Sequence, residues 1–396
     1  MFSKALESVR MSPIVSISEE VRRRSKSFKE ETGKDFLLFQ RGEVDFATPQ
    51  YIKDAAIKGL ELGLTKYPKS GGESYFKEAV VQKLSCYNNV QGLIPENIIA
   101  TYGGQEGLEL TFKLFDGKKG AGFAPCWSCV LENFVPYCDI NFIEVPLAQD
   151  FSIDYKILEK IMGGISFFYL NNPQNPSGKL FTEEEILKIA GLCEKYDVFL
   201  ITDESYESIV YDGERAFSAL SLPYKNIISV YTLSKTYSMT GWRIGYIATR
   251  NEAIPKLILL GNYTQTAGVT TFIQYAAAEA LNNKEESEKA ISSMVGEYKL
   301  RRDALYKVLK SVPGLSVYMP HAGFYFFPDF SELIPDGLDE KARGMYAYQK
   351  MMEAGIATVY GRCFGKYFDN NVRFSFSATN LSVIKDAGER LSGLFK

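Results

Sequence analysis

Between residues 97 and 231 short apolar runs alternate with longer stretches of helical periodicity, and that alternation leaves few folds open. Residues 97–102, 120–124, 165–170, 198–202 and 227–231 read as strands. Each is a short apolar run, the pattern expected of strands covered on both faces. Gly103-Gly104 opens an apolar-periodic helix to about residue 115, and Thr182 with Glu185 three residues on has capping-box spacing. Strands alternating with helices predict an α/β fold, with a large domain built on a mostly parallel sheet covered by helices. In such sheets ligands sit beyond the carboxyl ends of the strands. Polar residues directly after a strand therefore mark the place for chemistry.

The rest of the chain predicts a smaller α+β domain drawn from both chain ends. Residues 1–47 read as a helical arm followed by a loop, and 50–62 and 73–87 as helices flanking the turn Tyr67-Pro68-Lys69-Ser70-Gly71-Gly72. A long charged helix over 285–311 bridges to strands at 315–318, 323–327, 358–360 and 372–376 and to helices at 342–354 and 381–394. The expected division is 1–47 as arm and part of the small domain, 48–290 as the large cofactor-binding domain, and 291–396 as the small domain. A chain of 396 residues, 46% of them hydrophobic, can fill the cores this requires.

Charge and cysteine usage exclude several functions. A net charge of −3 offers nothing to nucleic acid or an anionic membrane. Arg22-Arg23-Arg24 lies among Glu19, Glu20, Glu30 and Glu31 and reads as a solvated helix face. No apolar run reaches the roughly 18 residues of a membrane helix. The acidic N-terminus lacks the apolar core of a signal peptide, so a cytoplasmic location is expected. Six cysteines are scattered through the chain, and Cys126-Trp127-Ser128-Cys129 has no second pair and only His321 to complete a metal site. Buried thiols and no metal are expected, and one histidine also weakens any Ser-His-Asp proposal.

Four strand ends carry the chemistry. Lys235 follows the fifth strand in Tyr231-Thr232-Leu233-Ser234-Lys235 and is followed by Gly241-Trp242-Arg243-Ile244-Gly245. A lysine amine condenses with an aldehyde to an imine, and pyridoxal phosphate needs such a lysine, an acid for its ring nitrogen and a phosphate cradle. Asp203 after the fourth strand would meet the ring nitrogen; the alternative is a helix N-cap. Asn175, in Asn171-Asn172-Pro173-Gln174-Asn175-Pro176-Ser177-Gly178, and Tyr206, one turn beyond Asp203, would bond the phenolic oxygen. The Asn-Pro pairs equally suit a plain turn, with a cis bond at Pro176 open. Gly103, Gly104 and Gln105 offer N–H groups at a helix start, Thr232 and Ser234 offer hydroxyls, and Arg243 a guanidinium fork. Trp127 would stack on the ring, or be core.

With these residues the chain resembles the class I/II aminotransferases of the aspartate aminotransferase fold, the fold type I pyridoxal phosphate enzymes. The resemblance runs from Gly42-Glu43-Val44-Asp45-Phe46 to Arg373-Phe374-Ser375-Phe376 and is most specific over Ser234-Lys235-Thr236-Tyr237-Ser238-Met239-Thr240-Gly241-Trp242-Arg243-Ile244-Gly245-Tyr246. It implies that Lys235 is the Schiff-base lysine and proton shuttle, with Asp203 and Tyr206 as its catalytic companions. It implies that Gly104, Gln105, Thr232, Ser234 and Arg243 hold the phosphate, that Trp127 stacks on the ring, and that Asn175 and Tyr206 hold the phenolic oxygen. It implies substrate carboxylate binding by Arg373, Gly42 and Asn175, and a homodimer in which Tyr67 reaches the neighbouring subunit's phosphate. The partners implied are an L-amino acid (aspartate or glutamate, alanine or aromatic) and a 2-oxo acid. Val44 and Cys126 depart from the usual proline and tyrosine without touching the charge chemistry. The rival readings are carbon–sulfur β-elimination on the same fold and non-catalytic cofactor binding.

Overall fold

The computed structural model describes residues 2–395. Helices Lys4–Ser8 and Pro13–Thr32 lead into β1 (Leu37–Leu38), and helices Gln50–Glu61 and Ser74–Cys86 follow. The large sheet is made of β2 (Ile98–Thr101), β3 (Lys119–Ala124), β4 (Asn141–Pro146), β5 (Phe167–Asn171), β6 (Phe199–Asp203), β7 (Ile227–Thr232) and β8 (Gly245–Thr249). Its order is β2-β8-β7-β6-β5-β3-β4. Pairing is parallel from β7 through β6, β5 and β3 to β4. The α/β architecture with a mostly parallel, helix-covered sheet is therefore the one expected.

Two strands of the sheet were not expected. β8 runs antiparallel between β2 and β7, and it begins on Gly245, the last residue of the Gly-Trp-Arg-Ile-Gly motif that reads as a binding loop. β4 is an edge strand with exposed Asn141 and half-buried Glu144, so its apolar signal is broken.

The remaining strands are β9 (Tyr325–Phe326), β10 (Ile356–Ala357), β11 (Val359–Tyr360) and β12 (Val372–Ser375). They form an antiparallel sheet β11-β12-β9 and a parallel pair β1-β10. The strand expected at 315–318 is not formed; only Ser316 bridges to Asp329. A core of Phe39, Tyr298, Leu305, Phe324, Phe326, Phe374 and Leu391 fills this region. The helix Lys284–Lys310 runs unbroken through residue 290, so the expected boundary there falls inside one element. Among the described residues no helix is long and apolar enough to cross a membrane.

Long-range polar contacts fix the loop that carries Gly42. Arg301 in the long helix donates to both Asp45 carboxylate oxygens, at 3.0 and 2.9 Å, and to the Ser377 carbonyl at 2.9 Å. Ser375 donates its N–H to the Phe39 carbonyl at 2.7 Å. The Gly42 loop is thus tied to the segment that follows β12.

Candidate active site

Strand ends converge as the parallel sheet requires. β5 ends on Asn171 and β6 on Asp203, paired in register. β7 ends on Thr232, whose hydroxyl accepts from the Ser234 N–H at 3.2 Å and starts the short helix Leu233–Thr236 that carries Lys235. Beyond these ends lies a cavity of about 310 Å³. Its lining includes Gly42, Gly104, Gln105, Trp127, Asn175, Asp203, Tyr206, Thr232, Ser234, Lys235, Arg243 and Arg373. Twelve of the residues singled out in the sequence are thus brought to one place.

Lys235 is half-buried, and its Nζ donates to the Gly42 carbonyl at 2.7 Å. Burial, with help from the Arg243 and Arg373 charges, lowers its pKa to about 8; Glu43 opposes the shift. An ordinary lysine is almost wholly protonated at neutral pH, whereas this amine has an appreciable free-base fraction.

Asp203 is buried. Its Oδ1 accepts from the Ser205 N–H at 3.1 Å and hydroxyl at 2.5 Å, and its Oδ2 from the Tyr169 hydroxyl at 3.1 Å. Burial raises its carboxyl pKa even so, because hydrogen bonds alone do not replace the lost water. The helix N-cap alternative does not hold: only a loop follows β6, with no helix to cap.

The start of the helix Gly103–Lys113 meets the Thr232 and Arg243 side. Gly103 has φ +74°, and a Cβ there would lie 2.8 Å from Arg243 Nη2, so only glycine fits. Gly103 itself does not line the cavity. Arg243 is itself in the left-handed region, φ +55°, with its guanidinium donating to the carbonyls of Thr240 at 2.9 Å and Tyr102 at 3.3 Å.

Arg373 is almost fully buried at 1% exposure, so its charge must be answered from inside. Nη1 donates to Asn175 Oδ1 at 3.0 Å and Nη2 to the Gln40 carbonyl at 2.9 Å, while Nε has no partner. The guanidinium lies 4.5 Å from the centre of the Tyr325 ring. The Asn175–Pro176 and Asn172–Pro173 bonds are cis, and Asn171 Oδ1 accepts the Asn175 N–H at 2.7 Å. The Tyr206 and Tyr325 hydroxyls are 3.0 Å apart, and burial pushes the Tyr206 phenol well up. Trp127 is half-buried against Phe134, with ring centres 6.0 Å apart.

Tyr67 stands apart: it is 92% exposed and does not line the cavity of its own chain. Sequence reasoning also missed cavity residues. Ser205 and Asn171 lay inside quoted stretches and were legible from their strand ends. Cys129 lay inside the quoted Cys126-Trp127-Ser128-Cys129 stretch, whereas Tyr325, Ser12, Ile14 and Val15 arrive from distant segments with no local signal. Cys126 is buried and Cys129 half-buried, and burial pushes both thiols up, that of Cys129 to about 12, so both are neutral thiols.

Residues 34–391 match the family model described as aminotransferase class I and II. The chain belongs to that family. It is 36% identical over 343 residues to a probable aspartate/prephenate aminotransferase of Aquifex aeolicus, covering 84% of this chain and 85% of that one. It is 32% identical over 363 residues to aromatic-amino-acid aminotransferase 2 of Thermococcus litoralis, covering 90% of each. Among solved structures, Thermus thermophilus aspartate aminotransferase with maleate superimposes with TM-score 0.90 at 28% identity, over 100% of this aminotransferase and 99% of that chain. The protein is an aminotransferase, a transferase enzyme with the aspartate aminotransferase fold.

Proposed function

We propose that this aminotransferase moves an amino group between an L-amino acid and a 2-oxo acid with pyridoxal 5'-phosphate held on Lys235, in a homodimer. The observation that carries it is the half-buried, easily deprotonated Lys235 amine in one cavity with the buried acid Asp203 and the buried guanidinium of Arg373.

The residues fit this cofactor on two counts and its amino-acid substrate on a third. Asp203 is a buried carboxylate whose raised pKa reflects the want of a cation, and a pyridinium nitrogen is one. Gly103, Gly104 and Gln105 at the helix start, with Thr232, Ser234 and Arg243, form a donor set suited to phosphate. The orphaned Arg373 Nε is a buried donor beside the same cavity. When bound, pyridoxal phosphate supplies an aldehyde that condenses with amines and a cationic ring that takes up the electron pair left at Cα.

The chain's own groups do the rest. Arg373, with the Gly42 backbone and Asn175, grips the substrate α-carboxylate and orients Cα toward Lys235. Lys235 Nζ, kept partly unprotonated by burial, takes the Cα proton and returns it on the far side of the transfer. Asp203, with Ser205 and Tyr169 bonded to its oxygens, stays fixed as the anion opposite the ring nitrogen. Asn175 and Tyr206 hold the phenolic oxygen, Tyr325 positions Tyr206, and Trp127 covers the ring face. The exposure of Tyr67 outside its own cavity supports its reaching the phosphate of a second copy. The arm 1–47 and residues 291–396 carry Gly42 and Arg373, which suits a smaller domain that closes over substrate.

The test is a half-reaction. Cofactor-loaded protein mixed with a single amino acid should lose its visible absorbance and release one equivalent of the matching 2-oxo acid. Release of pyruvate and ammonia, or no reaction with any amino acid, would contradict transamination.

A further inference from the structure

We infer that Lys83 is a positioning residue for the reaction: its buried ion pair with Glu207 fixes, from behind, the turn that carries Asp203 and Tyr206. This rests on the cofactor site just proposed and extends it to a residue that touches neither cofactor nor substrate.

Residues 203–207 leave β6 as a turn with two faces. Asp203, Ser205 and Tyr206 line the cavity, whereas Glu204 and Glu207 do not. Both of those acids are buried on the other side. Glu204 accepts from the Thr202 hydroxyl at 3.1 Å and the Ser218 hydroxyl at 2.9 Å. Glu207 accepts from the Lys83 ammonium on one oxygen and from Asn88 Nδ2 at 2.7 Å on the other. Lys83 comes from the helix Ser74–Cys86, 124 residues away in the chain. Its ammonium also lies 4.8 Å from the centre of the Tyr231 ring, on the strand that leads to Lys235.

The charges decide which contact holds the turn. Burial, with the Glu207 charge beside it, raises the Glu204 pKa to about 8, against the pull of Ser218, Lys83 and Thr202. Glu204 is therefore mostly a neutral acid at neutral pH, and the anion that Lys83 answers is Glu207. A buried pair of this kind loses about as much in water as it returns in attraction, so its value here is geometric. Tyr206 directly precedes Glu207 and Asp203 ends the strand that feeds the turn, so a shift of Glu207 disturbs both. Less donation from Tyr206 leaves more negative charge on the phenolic oxygen facing the Lys235 imine. A weaker Asp203 contact leaves less positive charge on the ring. Both changes let the imine hold its proton to higher pH.

The experiment titrates the visible absorbance of the cofactor-loaded full chain with pH, and measures pyridoxal phosphate affinity of the cofactor-free chain by fluorescence. Lys83→Met should raise the absorbance midpoint by about one pH unit and weaken cofactor binding by about tenfold. Lys83→Arg keeps the charge and should stay close to the parent in both. Glu207→Gln leaves a cation that already lines a water-filled cleft of about 580 Å³, and it serves where Lys83→Met does not fold. It should move both readings in the same direction as Lys83→Met. If the folded variants keep the parent's midpoint and affinity while only their stability in urea falls, the pair is structural and the inference is overturned. An equal shift in Lys83→Arg would overturn it too, because charge is what the pair needs. A loaded parent with no visible band would instead sink the proposed function.

Discussion

Arg373 and Asn175, 198 residues apart, meet through a hydrogen bond of 3.0 Å. One sits on β12 of the small antiparallel sheet and the other on the loop after β5 of the large sheet. The bond therefore joins the two sheets at the cavity and holds in place the guanidinium that we propose grips the substrate α-carboxylate.

The Arg373→Lys variant keeps the charge but loses the planar fork and leaves the Asn175 and Gln40 oxygens short of a donor. Its second-order half-reaction constant should fall by about 100-fold for every amino acid alike, because the α-carboxylate is common to all. Stopped-flow absorbance with three unrelated amino acids checks this. A loss confined to one amino acid would reassign Arg373 to side-chain recognition.

The reactivity of Lys235 should follow its lowered pKa. Only the free base attacks an aldehyde, so the rate of imine formation between cofactor-free protein and pyridoxal should rise with pH, pass its midpoint near pH 8 and level off above. Burial is the main cause of that lowering and the Arg243 charge the next. Arg243→Gln removes a repelling positive charge and should move the midpoint upward. Pyridoxal lacks the phosphate, so the lost phosphate contact does not confuse the reading. A midpoint that stays near 10.5, the ordinary lysine value, would contradict the burial argument.

Asp203 should show opposite effects on stability and turnover. Burial raises its folded-state pKa, so between the unfolded and folded values the folded protein holds the extra proton and stability falls as pH rises. Asp203→Asn removes that charge, and at neutral pH the cofactor-free variant should be as stable as the parent or more so in urea unfolding. Turnover should nonetheless drop by about 10³-fold, since the anion opposite the ring nitrogen is gone. Equal loss of both would make Asp203 a structural residue.

Gly245 is a matter of space. A Cβ there would lie 2.5 Å from the Tyr231 carbonyl oxygen, 2.9 Å from the Gly103 carbonyl carbon and 3.0 Å from the Gly104 nitrogen. Those are backbone atoms of β7 and of the cradle helix, and they cannot rotate away. Gly245→Ala should cost about 1–3 kcal/mol of stability. It should also weaken pyridoxal phosphate binding by about tenfold or more, as the Gly103-Gly104 turn shifts, measurable by fluorescence titration. Unchanged affinity would mean that this turn does not hold the phosphate.

The large sheet was legible because its central strands are buried on both faces, which forces each into one uninterrupted apolar run. That reason fails for β4, an edge strand with Asn141 and Glu144, and for β8, whose start is spent on a binding motif. It fails for 315–318 in the other direction: apolar residues there pack into the small core with only Ser316 bridging. Site residues at strand ends, such as Asp203 and Lys235, were legible because position and residue type agree. Tyr325 and the Ser12–Val15 wall were not, because nothing local marks a side chain that reaches a cavity only through tertiary packing. Tyr67 was legible from resemblance alone, and its own chain gives it no contact with the cavity.

The central claim is that one amine carries the cofactor, and borohydride reduction tests it most directly. Reducing protein loaded with pyridoxal phosphate and mapping the peptides should place a single pyridoxyl label on Lys235, and Lys235→Ala should take none. A label on a different lysine, or none on the parent protein, would contradict the account.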